Sequence, residues 1–158
     1  MKQCMILLLL LSCTFAFGQA KKPTSADPWA GNYKLDTARS QFEAPPPKEE
    51  TLTIEAANQD SVKYTIKGTD AQGKAYTVTY DGKPGTPSPI MVDGKEDMQI
   101  TYQMPSSHEF TSVTRASQGG SGSDTITLSN DSKTITVRAH AKDAKGTEHQ
   151  QTIVYTRE

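Results

Sequence analysis

Apolar residues recur at every second position, segment after segment, and no stretch after residue 20 sustains a helical period. Leu52, Ile54 and Ala56 alternate with Thr51, Thr53 and Glu55, and Val62, Tyr64 and Ile66 alternate with Lys63, Thr65 and Lys67. The same rhythm returns at Tyr76/Val78/Tyr80, Met98/Ile100/Tyr102/Met104, Ile126/Leu128, Ile135/Val137/Ala139 and Ile153/Tyr155. Successive side chains of a strand point to opposite faces, so each segment has one buried and one wet face, as in an antiparallel sheet with a single core side. Strands around Tyr33/Leu35 and around Phe110 bring the expected number to nine. Phe110 and Val113 differ in parity, which predicts a bulge in their strand.

Most connections are short and turn-like: "NQD" (58–60), "MPSSH" (104–108), "SQGGSGS" (117–123) and "SNDSK" (129–133). Sequential strands are therefore expected to be antiparallel neighbours in a meander. Two connections are longer. Residues 37–50 carry three successive prolines that favour an extended, non-sheet path. Residues 81–97, rich in Pro and Gly, are expected to form a mobile flap.

Two hairpins share a tip, "GTDAQGKA" at 68–75 and "KDAKGT" at 142–147. A three-residue loop closed by a left-handed glycine, Gly73 or Gly146, places Asp70 opposite Lys74, Ile66 opposite Val78 and Tyr64 opposite Tyr80. In the second copy it places Lys142 opposite Glu148, Val137 opposite Ile153 and Ile135 opposite Tyr155. Apolar residues then meet apolar ones and opposite charges meet near the tips. A loop one residue longer or shorter would pair inward residues with outward ones. Upstream, "ETLTIEAANQDSVKYT" (50–65) lies over "DTITLSNDSKTITV" (124–137) with two fewer residues, through either internal duplication or convergence.

The N-terminus reads as an export leader over residues 1–20: Lys2, an apolar run from Met5 to Leu11, then small residues that permit cleavage after Gly18 or Ala20. The apolar run is too short for a comfortable membrane span. Lipid attachment at Cys13 ranks below simple cleavage, because apolar residues follow it where a polar tether is expected. The remainder divides into a tether (21–28) and one domain (29–158), destined for the periplasm or the extracellular space. Both cysteines, Cys4 and Cys13, leave with the leader, so roughly 138 disulfide-free residues must build their own core. That portion carries 16 basic and 18 acidic residues, interspersed. With no basic stripe, nucleic acid is not an expected partner.

The six tyrosines, Tyr33, Tyr64, Tyr76, Tyr80, Tyr102 and Tyr155, all fall on the inward parity, with Met98 and Met104 beside them. Buried phenols need hydrogen-bond partners, so these eight residues are the candidate ligand-binding set. The competing reading is that tyrosine is simply a favoured strand residue. No metal site is expected. The hairpin register turns His140 and His149 to opposite faces, and "DGKED" (93–97) lacks calcium-loop spacing. No catalytic residue or cofactor motif is expected either: no nucleophile elbow occurs, and "QGGSGS" lacks the Lys and helix of a phosphate loop.

On "GNYKLD" (31–36), "TLTIEA" (51–56) and the "GTDAQGK" hairpin, the chain resembles small exported bacterial β-meander proteins of unassigned function that begin "GTWKLN" and, through them, the lipocalin-like (calycin) barrels. The resemblance implies that Gly31 and Trp29 or Tyr33 stand where the lipocalin G-x-W pair does. It also implies that Arg157 covers the closing aromatic ring. The expected fold is all-β, an antiparallel up-and-down meander closing into a lipocalin-like barrel of about 8–10 strands, since closure removes exposed edges. A two-sheet β-sandwich is the alternative. The expected function is non-catalytic binding of a small apolar or amphiphilic ligand in an interior pocket of at least ~300 Å³. The alternative is an envelope module with a filled barrel that acts through its loops, notably 81–97.

Overall fold

A computed structural model describes residues 27–116 and 119–158. The expected leader and residues 21–26 of the expected tether lie outside the described residues. Asp27 and Pro28, assigned to that tether, belong to the barrel. Asp27 accepts hydrogen bonds from the amides of Trp29 and Ala57 and from Asn58, and the Pro28 carbonyl accepts one from Arg157.

Ten strands follow in chain order: β1 (Gly31–Leu35), β2 (Glu49–Ala57), β3 (Val62–Thr69), β4 (Ala75–Gly82), β5 (Ser88–Val92), β6 (Lys95–Ser106), β7 (Glu109–Ala116), β8 (Ser121–Leu128), β9 (Thr134–Lys142) and β10 (Glu148–Arg157). Each pairs antiparallel with the next, and β1 pairs with β10, so the sheet closes into an up-and-down barrel. The sandwich alternative is thereby excluded. Closure leaves no sheet edge, and every second residue faces one shared lumen.

The hairpin registers follow the tip chemistry. Ile66 faces Val78, Tyr64 faces Tyr80, Val137 faces Ile153 and Ile135 faces Tyr155. Gly73 and Gly146 adopt φ of 92° and 89°. The acidic tip residues act as turn caps: Asp70 Oδ1 accepts from the amides of Gln72 and Lys74, and Asp143 Oδ1 accepts from those of Lys145 and Thr147. Across the second hairpin His149 faces Ala141 while His140 faces Gln150, which separates the two imidazoles.

Two expectations need correction. Residues 81–97 are not a flap, because they hold the end of β4, all of β5 and the start of β6. Asp93 and Gly94 make the tight turn between these strands, both at positive φ (50° and 77°), as a two-residue hairpin turn requires. Pro89 within β5 is tolerated there because a bulge between Ile90 and Met91 breaks the regular ladder. The bulge expected in the Phe110 strand lies instead on its neighbour β6, between Gln103 and Ser106. β7 itself is regular: Phe110 and Ser112 face inward, and Val113 is exposed.

The barrel floor is built around Arg157. Its guanidinium donates to the carbonyls of Ser132 (2.6 Å), Ala30 (2.7 Å) and Pro28 (2.5 Å), donates to the Tyr33 hydroxyl, and lies over the Tyr33 ring at 4.7 Å. Gly31 makes room for it, since a Cβ there would stand 2.5 Å from Nη1. Trp29 fills the space above, edge-on to Phe110 at 5.1 Å, with its indole N–H on the Ser107 carbonyl. Arg157→Lys keeps the charge but cannot reach three carbonyls on two separate segments. Each buried acceptor left unpaired costs ~1–3 kcal/mol, so urea unfolding is expected to show a loss of at least about 2 kcal/mol.

Candidate functional site

Above the floor lies a cavity of about 180 Å³. Its walls are mainly apolar, with Leu52, Ile54, Ile126, Ile135 and Val137 on the sides and Trp29 and Phe110 beneath. Four polar side chains reach it: Tyr64, Tyr102, Tyr155 and Asp124. The volume falls short of the expected ~300 Å³ because tyrosine rings occupy part of the lumen. Tyr80 stacks on Tyr64 at 5.5 Å and meets Tyr102 edge-on at 5.1 Å.

The eight candidate residues separate by height along the barrel. Tyr64, Tyr102 and Tyr155 border the cavity. Tyr33 is wholly buried in the floor, its hydroxyl donating to the Trp29 carbonyl at 2.8 Å. Tyr80 is buried behind Tyr64 and Tyr102. Tyr76 lies toward the opposite end, donating to Glu50. Met98 and Met104 pack against the core as half-buried side chains without bordering the cavity. Parity assigned these residues to the inside, but parity carries no information about height.

Two inward carboxyl groups escaped the sequence reading. Glu50 on β2 accepts the Tyr76 hydroxyl on one oxygen and the Tyr155 hydroxyl on the other. Asp124 on β8 accepts the Ser112 hydroxyl on Oδ2 at 2.6 Å. Both were legible, since each stands two positions before the first inward apolar residue of its strand, in "ETLTI" and "DTITL". A search keyed to apolar positions steps over them. The same overlay of the two stretches puts Glu50 on Asp124.

The two carboxyl groups sit in matching rows of cross-strand neighbours. Glu50, Gly68 and Tyr76 form one row across β2, β3 and β4. Gly68 lets the phenol cross to Glu50, because a Cβ there would lie 2.6 Å from the Tyr76 hydroxyl. Asp124, Ser112 and Tyr102 form the other row across β8, β7 and β6. Here the serine hydroxyl fills the middle position, and Tyr102 turns to Tyr64, hydroxyl to hydroxyl at 3.0 Å.

Burial sets the protonation states. It pushes the Tyr64 phenol up to about 12 and holds Tyr102 and Tyr155 well above the ordinary value, Glu50 adding to the effect at Tyr155 and the Asp124 charge contributing at Tyr64 and Tyr102. These phenols are neutral donors at neutral pH. Burial also raises Asp124 above the ordinary carboxylate value of 3.8, opposed by the Ser112 hydrogen bond and the His140 charge.

No protein-family model and no curated protein matches the chain. Among solved structures, a mutant of the fluorescent protein UnaG is similar at 11% identity and a TM-score of 0.58, the match covering 85% of this chain and 99% of that one. A fatty acid binding protein of Schistosoma mansoni, in complex with arachidonic acid, matches at 12% identity and a TM-score of 0.58, again over 85% and 99%. At these identities the likeness establishes the fold, a lipocalin-like closed barrel.

The raised Asp124 carboxyl has a testable consequence for stability. The folded protein holds that proton more tightly than the unfolded chain, so stability falls as pH climbs from the ordinary carboxylate value through the raised one. Asp124→Asn retains an oxygen for Ser112 and removes the buried charge. Thermal melts are expected to show the variant more stable than the parent at about pH 7, and the two converging near about pH 3, where the carboxyl is neutral in both states.

Proposed function

We propose that the barrel is a binding protein that holds one small, mainly apolar molecule in its interior, without chemistry. The observation that carries this reading is the cavity of about 180 Å³, mainly apolar and supplied with neutral phenols and a carboxyl group. An empty cavity costs stability in proportion to its volume. Its persistence beside polar groups that a fully packed core would exclude fits a binding site better than a structural core. Apolar cavities of ~150 Å³ admit benzene-sized molecules, and this one suits a single ring or a compact branched chain. Ser112 gives its hydroxyl proton to Asp124 with no imidazole in the cavity wall, which fits binding rather than nucleophilic catalysis. That the similar Schistosoma mansoni barrel is described in complex with arachidonic acid supports the same reading.

Benzene titrated into protein with labelled methyl groups is expected to shift the Ile54, Ile126 and Ile135 resonances saturably. Val137→Phe, which fills the cavity, is expected to abolish those shifts while the fold survives at a cost of ~1–3 kcal/mol. Shifts that persist in the variant, or that map to outward residues, would place the probe elsewhere and sink the reading. Export through the leader belongs to the same proposal. N-terminal sequencing of protein from its native host is expected to begin at Gln19 or Lys21, and an intact Met1 would contradict it.

A further inference from the structure

We propose that the ligand carries a basic, hydrogen-bond-donating nitrogen on a compact apolar body, and that Asp124 is its counterion. The inference rests on the cavity reading above and narrows it to small amines, against fatty acids and other carboxylates.

The first support is the sign of the charge. Among the described residues Asp124 is the one charged side chain in the cavity wall, with no Lys, Arg or His lining it. The cation of the floor, Arg157, is consumed by three carbonyls and the Tyr33 hydroxyl. A carboxylate ligand would be desolvated beside a like charge with no cation among the described lining residues, whereas an ammonium group would meet its opposite.

The second support is an internal control supplied by the two matching rows. At Glu50 both carboxyl oxygens receive a phenol proton, so that row is complete. At the corresponding Asp124, Ser112 satisfies Oδ2 alone, and Oδ1 accepts nothing from the described residues. The phenol that would complete the row, Tyr102, is paired instead with Tyr64. Asp124, a residue of the cavity wall, therefore keeps one acceptor available where Glu50 has both filled. A ligand N–H placed there does for Asp124 what Tyr155 does for Glu50. Two neutral phenols sharing one mutual hydrogen bond have one proton left over, so a modest acceptor on the ligand is also accommodated.

The experiment compares three probes of one shape, benzylamine, benzyl alcohol and benzoate, by calorimetry at neutral pH on the full chain. Benzylamine is expected to bind at least about tenfold tighter than benzyl alcohol, the size of one charge-assisted hydrogen bond, and benzoate weakest. Asp124→Asn is expected to bring the three within about threefold of one another. Glu50→Gln is expected to preserve the amine preference. Benzoate binding as tightly as benzylamine would overturn the inference. So would a preference that survives Asp124→Asn, or one that disappears with Glu50→Gln alone. If benzene binds in the cavity but the three probes show no order, the charge inference fails by itself. If neither benzene nor any of the three binds, the cavity reading fails and takes this one with it.

Discussion

The seam between β1 and β10 is the constraint on which the rest of the barrel depends. A linear meander becomes a closed sheet only when its first and last strands pair, and here that pairing runs only from Tyr33 with Arg157 to Leu35 with Tyr155. So short a ladder is reinforced by side chains. Arg157 binds carbonyls on both sides of the seam, Pro28 and Ala30 before β1 and Ser132 in the β8–β9 turn, and caps the Tyr33 ring. Above the ladder the chain rejoins β10 where Gln41 pairs with Thr152 and Glu43 accepts the Gln150 amide. With the seam closed, every inward residue faces the same enclosed space.

That enclosure makes each inward polar group a matter of local satisfaction. The tyrosines meet it differently at each level: Tyr33 through the floor carbonyls, Tyr64 and Tyr102 through each other, Tyr76 and Tyr155 through Glu50. Tyr80 shields its hydroxyl from solvent without a partner among the described residues. Ser112 and Asp124 answer each other only in part, leaving the carboxyl with an oxygen to spare. The lumen therefore combines apolar walls with phenols and two carboxyl groups, Glu50 and Asp124, an uneven chemistry that a purely structural core does not need.

Much of this was legible in the sequence wherever two independent signals coincided. The tip glycines and the apolar alternation both demanded one register, and Tyr64–Tyr80 and Ile135–Tyr155 pair accordingly. Single signals were weaker. The strand Ser88–Val92 was hidden by Pro87 and Pro89, although "VDGK" just after it is a tight-turn signature. Glu50 and Asp124 were hidden because alternation was followed through apolar residues, and an inward carboxyl at the head of a strand looks like an ordinary polar end. Tyr33 was placed on the correct face but at an unknown height, since height depends on the stagger between strands around the whole barrel. Cavity volume is less accessible still, because it depends on which rings stack on which.

The most direct test is native mass spectrometry of the protein purified from the organism that makes it. A single reproducible adduct, lost on denaturation and matching a compact amine, is the result expected of a barrel whose cavity wall carries the Asp124 carboxylate with one oxygen unpaired among the described residues. Apoprotein alone, or an adduct with the mass of a fatty acid, would contradict it.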